Sequence, residues 1–170
     1  ERPRQRKGVL SLSYYQDDEC EKITILDIDL DDPDLNADDP RIITFKGETY
    51  LTTLSHLRLV SSTDGVHFTD AGMPPITGNS SIEQFGIEDC RVVELDGTYY
   101  LTFTAAGRDG YGVGLISTRD WQNYERHGLI LPTPNKDCSL FPKKIGKNYY
   151  CLHRPTGTSI GGNYIWMGQS

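Results

Sequence analysis

The sequence has no apolar run near the ~18–20 residues that cross a bilayer, no Cys-x-x-Cys pair, and no helical periodicity of useful length. The first absence removes a membrane-spanning helix, and no membrane partner is expected. The second leaves a structural zinc site little support, because Cys20, Cys90, Cys138 and Cys151 are scattered along the chain. A chain of 170 residues does not need disulfides to fold. Free thiols, buried or half-buried, and a reducing, cytoplasmic compartment are therefore expected. Basic residues are also short: 17 Lys+Arg stand against 24 Asp+Glu, for a net charge of −7. That balance disfavours nucleic acid as a partner. Residues 1–7 are the basic exception, and with no apolar stretch beside them they do not read as a secretory signal. A hydrophobic fraction of 36% is enough for a core, and the length suits one domain or a piece of one.

What the sequence does contain is a repeat. The segment from Asp39 through Arg41, Gly47, Tyr50, Leu51 and Thr52 aligns without a gap on Asp89, Arg91, Gly97, Tyr100, Leu101 and Thr102, fifty residues later. A third copy starts at Asp137 and runs through Gly146 and Tyr150. Within one copy, Arg91–Leu95 is rich in β-branched residues, Asp96-Gly97 is a two-residue hairpin signal, and Tyr99–Thr104 returns. Val113–Ser117 and Tyr124–Ile130 supply a third and fourth strand. Four antiparallel strands repeated at this period predict β-propeller blades. The expected division is the end of one blade with a linker at 1–37, blades at 38–86 and 87–135, and an incomplete blade at 136–170. That makes about three and a half blades, fewer than the roughly 4–8 that close a propeller. The chain thus reads as an internal segment of a larger propeller. Its open edges call for cover, and a homo-oligomer is one way to provide it.

Three groups of residues, in order and at blade spacing, carry a resemblance. They are Gly86-Ile87-Glu88-Asp89-Cys90-Arg91, then Asn135-Lys136-Asp137-Cys138-Ser139-Leu140-Phe141-Pro142, then Leu152-His153-Arg154-Pro155. Together they resemble glycoside hydrolase family 130, the β-mannoside phosphorylases and related β-mannosidases, over residues 20–170. The resemblance implies an all-β fold, part of a five-bladed β-propeller. It also implies cleavage of β-mannosides with inversion, the proton being relayed through a sugar hydroxyl. The family's general acid, the Asp of a Glu-Asp-Pro-Arg motif, falls on Asp89. Two departures stand out: Cys90 replaces the Pro, and Lys143 stands where many members have Glu.

Strand direction predicts which residues meet. The first strand of a blade starts where its second strand ends, so Asp39, Asp89 and Asp137 should gather with Ser55, His56, Thr104, Ala105, His153 and Arg154 at one mouth. A phosphorylase needs one carboxylic acid, because inorganic phosphate as co-substrate supplies the nucleophile, and it needs cations to hold that phosphate. Asp89 is the expected acid. Ser55, His56, Lys136, Asp137, His153 and Arg154 are the expected contacts to phosphate or an oligosaccharide substrate. No metal and no organic cofactor are expected. Other readings stay open at this point. Asp89 could cap a turn or pair with Arg91, and Asp39 and Glu88 could be structural. An inverting β-mannosidase would need a second carboxylate, and an inactive carbohydrate-binding fragment would need none. The acidic run from Asp27 to Asp39 lacks the Gly and Glu of a calcium loop and reads as solvated. The serines and histidines show no nucleophile–base spacing. The glycine-rich stretch 107–114 lies between predicted strands, not before a helix.

Overall fold

Tight hairpins set the architecture. Asp96 and Gly97 both take positive φ (52° and 77°), as do Lys46 and Gly47 (51° and 83°). Two successive residues of that kind close an antiparallel hairpin whose twist matches its strands. The computed structural model describes residues 4–6, 8–16, 19–157 and 162–170. The side chains of the basic segment 1–7 and of Cys20 lie outside the described residues.

The strands are β1 (Arg4–Arg6), β2 (Val9–Gln16), β3 (Glu19–Asp29), β4 (Leu35–Asp39), β5 (Ile42–Phe45), β6 (Glu48–Leu51), β7 (Val60–Ser61), β8 (Thr69–Asp70), β9 (Gly86–Leu95), β10 (Thr98–Gly107), β11 (Gly110–Thr118), β12 (Glu125–Leu131), β13 (Asn135–Leu140), β14 (Tyr150–Pro155) and β15 (Trp166–Gln169). They form antiparallel meanders: β1-β2-β3, β4-β5-β6, the ribbon β7-β8, the four-stranded β9-β10-β11-β12, and β13-β14-β15. Among the described residues there is no α-helix, only a 3₁₀ turn at Ser81–Glu83. The strands predicted around Arg91, Tyr99, Val113 and Tyr124 are all present.

Strand β10 is buried on both faces from Leu101 to Ala106, because sheets pack on either side of it. Leu101, Phe103 and Ala105 join Ile87 and Ile116 in one cluster, against Leu57 and Ile76 from the preceding segment. On the other face the Thr102 hydroxyl donates to the Cys138 carbonyl at 2.6 Å, fastening β10 to β13. A second cluster of Leu10, Leu12, Ile28, Ile43, Tyr50 and Phe85 joins the first two sheets, and Ala106 reaches it from β10. Each such aliphatic or aromatic side chain contributes about 1.5–3 kcal/mol when fully buried.

The repeat overstates one equivalence. Asp89 and Asp137 take left-handed backbone (φ 52° and 55°) inside matching β-bulges. Asp89 and Cys90 stand together opposite Phe103, and Asp137 and Cys138 opposite His153. Asp39 does not open an inner strand. It closes β4, and the chain turns through Pro40 and Arg41 into β5, with Asp39 paired to Ile42. The Arg41 N–H donates to Asp39 Oδ1 at 2.9 Å, and the Arg41 guanidinium pairs with the same carboxylate. Asp followed by Pro suits the first two positions of a β-turn, so local turn chemistry wins over the repeat pattern. Asp39 therefore has a structural role in this turn. The segment read as one blade at 38–86 divides into β4-β5-β6, starting at Leu35, and the ribbon β7-β8.

Candidate active site

The approach to Asp89 is built on a glycine. Gly86 has φ +98°, and a Cβ there would lie 2.0 Å from the Ser55 carbonyl oxygen. That closeness lets Ser55 bridge in parallel to the start of β9. The Ser55 N–H donates to the Phe85 carbonyl at 3.2 Å, and the Ile87 N–H donates to the Ser55 carbonyl at 3.3 Å. The Ser55 hydroxyl then donates to Glu88 Oε2 at 3.2 Å, which gives Glu88 the structural role open to it in the sequence. Asp89, one residue on, is exposed. Arg91 does not pair with its carboxylate; it donates to the backbone carbonyls of Asp89 and Cys90, each at 3.3 Å. Among the described residues the Asp89 carboxylate has no hydrogen-bond or ion-pair partner.

The second bulge carries the cations. Lys136 and Arg154 are register partners on β13 and β14. Arg154 is bound to Asp137: its Nε donates to Asp137 Oδ2 at 2.8 Å, and its Nη2 closes on the same oxygen. The pair is about one-third exposed on each side. Lys136 has no carboxylate partner among the described residues. Its Nζ lies 5.4 Å from the centroid of the Tyr111 ring. His153 sits 3.0–3.2 Å from the Asn135 amide through Nδ1. Burial lowers its pKa, so its ring tends to stay neutral. Lys136 and Arg154 are the lasting positive charges beside it.

The structure thus joins Lys136, Asp137 and Arg154 directly, with His153 beside them. Ser55 is tied to Glu88. The Thr102–Cys138 bond links the strand facing the Asp89 bulge to the strand carrying the Asp137 bulge. His56 is exposed, and among the described residues no hydrogen bond or ion pair ties its side chain to the other expected residues. Sequence reasoning missed Asn135, Tyr111 and Thr156. Asn135 is buried within a motif already singled out. Tyr111 belonged to the glycine-rich stretch set aside as a strand connection, yet it opposes Ala106 at the mouth end of β10. The structure also pairs Ser117 Oγ with His127 Nε2 at 2.8 Å, which sequence spacing did not offer. That contact lies near the far ends of β11 and β12, away from both bulges. An apolar cleft of about 460 Å³ between the last two sheets, lined by Leu95, Tyr100, Leu140 and Tyr150, also opens at the far end.

The thiols differ in character. Cys138 and Cys151 share a hydrogen bond across β13 and β14; it lowers the Cys151 pKa and raises that of buried Cys138. Burial pushes Cys90 up to about 11. Because the thiolate is the nucleophile, Cys151 is expected to be alkylated by iodoacetamide at a lower pH than Cys90. Cys138→Ala removes the hydrogen-bond donor and should move Cys151 labelling to higher pH. Peptide mass spectrometry across a pH series checks this, and Cys90 labelling first would refute it.

The chain is similar to several known proteins. The glycoside hydrolase 130 family profile, described as beta-1,4-mannooligosaccharide phosphorylase, matches residues 40–169. A beta-1,2-mannobiose phosphorylase of Listeria innocua is 41% identical over 145 residues, which are 83% of this chain and 41% of that protein. A 1,2-beta-oligomannan phosphorylase of a Thermoanaerobacter species is 38% identical over 104 residues, 59% of this chain and 35% of that one. Among solved structures, the Listeria innocua beta-1,2-mannobiose phosphorylase bound to beta-1,2-mannobiose superposes with a TM-score of 0.87 at 35% identity, over 98% of this chain and 48% of that one. The chain spans less than half the length of these relatives.

Proposed function

The chain belongs to glycoside hydrolase family 130, and from that membership we propose that it is part of an inverting phosphorylase acting on β-mannosides, with β-1,2-linked manno-oligosaccharides as the preferred substrates. Its sheets are blades of that family's five-bladed β-propeller. The linkage follows the names of the relatives from Listeria innocua and Thermoanaerobacter. In the reaction an oxygen of inorganic phosphate attacks the anomeric carbon, the glycosidic C–O bond breaks, and the departing sugar oxygen takes a proton that originates on Asp89. The products are mannose 1-phosphate and a shortened mannoside.

The observation that carries this reading is the pairing of charges. Asp89 is a carboxyl without a partner among the described residues, on a left-handed bulge, while Lys136 and Arg154 flank the equivalent bulge one sheet away. Arg154 has Nε and Nη2 engaged by Asp137, which leaves Nη1 for an anion. Asp137 therefore acts by fixing the Arg154 fork, and Ser55, His56 and His153 offer polar contacts to sugar hydroxyls. Phosphate supplies the nucleophile and Asp89 the proton, so the chemistry calls for neither a metal nor an organic cofactor. Persistent thiols suit a reducing, cytoplasmic compartment.

The test is release of mannose 1-phosphate from β-1,2-mannobiose, with and without inorganic phosphate, beside β-1,4-mannobiose. Cleavage is expected to require phosphate and to favour the β-1,2 substrate. Cleavage equally fast without phosphate would replace phosphorolysis by hydrolysis.

A further inference from the structure

The two cations beside Asp137 are held in different ways. Arg154 is gripped by a carboxylate, whereas Lys136 rests over the face of a ring. That ring belongs to Tyr111, which comes from the neighbouring sheet at the start of β11. The Tyr111 hydroxyl shares a short hydrogen bond with Thr156 Oγ1. Thr156 is buried just beyond β14, and its N–H donates to the Pro134 carbonyl at 3.2 Å, immediately before β13. The hydroxyl end of the ring is thus fastened beside the sheet that carries Lys136, while its Cβ end stays on β11 of the neighbouring sheet. An aromatic face attracts an ammonium through its quadrupole but does not neutralise it. A carboxylate in the same place would compete with an incoming anion; the ring orients Nζ and leaves its N–H groups to donate.

We propose that Tyr111, anchored by Thr156, is a positioning residue that holds the Lys136 ammonium ready for the phosphate co-substrate. The proposal rests on the phosphorolytic reading for its ligand, though not for its geometry.

Two variants of the intact natural protein separate the roles of ring and hydroxyl. Tyr111→Phe keeps the ring and loses the anchor; Tyr111→Leu loses both. The KM for phosphate is expected to rise about 3-fold in the first and about 10-fold in the second, with kcat at saturating phosphate and KM for the mannoside within about 2-fold of wild type. In a Lys136→Met background, Tyr111→Leu should add nothing further to the phosphate KM. An additive loss, or a fall in kcat with the phosphate KM unchanged, would mean a packing role and overturn the proposal. A second measurement does not depend on turnover. After reductive methylation with ¹³C-formaldehyde, the dimethyl signal of Lys136 should be shifted upfield by the ring current, keep that shift in Tyr111→Phe, and lose it in Tyr111→Leu. An unshifted signal in the wild type overturns the clamp. If wild-type turnover ignores phosphate, the functional reading falls by itself, and the ring-current shift decides the clamp separately.

Discussion

Replacing Asp89 by Asn is expected to lower the rate of phosphorolysis by at least ~100-fold, the usual contribution of a positioned general acid, or about 2.7 kcal/mol of transition-state stabilisation. The substitution is unusually clean at this position. Asp89 holds φ 52° within the β9 bulge, and Asn tolerates that left-handed conformation as well as Asp does. The side chain is exposed and has no partner among the described residues, so no hydrogen bond or ion pair is lost. What disappears is the proton. A substrate whose leaving group needs no protonation, such as a dinitrophenyl β-mannoside, should therefore recover most of the lost rate in the variant. Asp137→Asn is the matched control: it shares the left-handed bulge (φ 55°) but loosens Arg154, so its main effect should be on the KM for phosphate. Steady-state kinetics on the two variants decides the matter. Unchanged turnover in Asp89→Asn would take Asp89 out of the mechanism.

Why these two aspartates and not a third is a matter of what a sequence can carry. The hairpin at Asp96-Gly97 was legible because its turn chemistry is local, and the strands around it because β-branched and aromatic residues alternate over a few positions. The repeat placed Asp89 and Asp137 at equivalent points, and they are equivalent down to the backbone angle. It placed Asp39 there too, but Asp39 lies in a turn and not in a left-handed bulge. Shared letters do not record whether a strand bulges or turns, and in the first copy Pro40 and Arg41 form the turn into β5. The side-chain partners were beyond reach for a related reason. Asp137 meets Arg154 and Tyr111 meets Lys136 only through register across bulged strands and between sheets. One slipped residue would turn each side chain to the other face. Candidate residues could therefore be named from motifs, while the division between a paired guanidinium and an unpaired ammonium could not.

The largest expected loss of stability comes from a methyl group. Gly86→Ala should cost roughly 3–5 kcal/mol, at the severe end for a single substitution, and lower the melting temperature by roughly 10 °C. Two effects combine. A non-glycine residue at φ +98° is strained. The added Cβ would also stand 2.0 Å from the Ser55 carbonyl oxygen and 2.7 Å from its nitrogen, atoms of a backbone that cannot swing aside as a side chain could. To make room, the bridge must open, and the bonds from Ser55 to Phe85 and from Ile87 to Ser55 go with it, each worth about 1 kcal/mol. Gly97→Ala separates the two effects, since Gly97 also has positive φ (77°) but nothing lies within 4 Å of its added Cβ. It should cost only about 1–2 kcal/mol. Denaturant unfolding of the two variants side by side makes the comparison, and equal losses would refute the close approach of Ser55 as the reason for glycine at 86. The same opening would release Glu88 from Ser55, one residue from Asp89. A Gly86→Ala protein that still folds is therefore expected to lose activity at temperatures well below its melting point, because the segment that aims the acid loosens before the sheets separate.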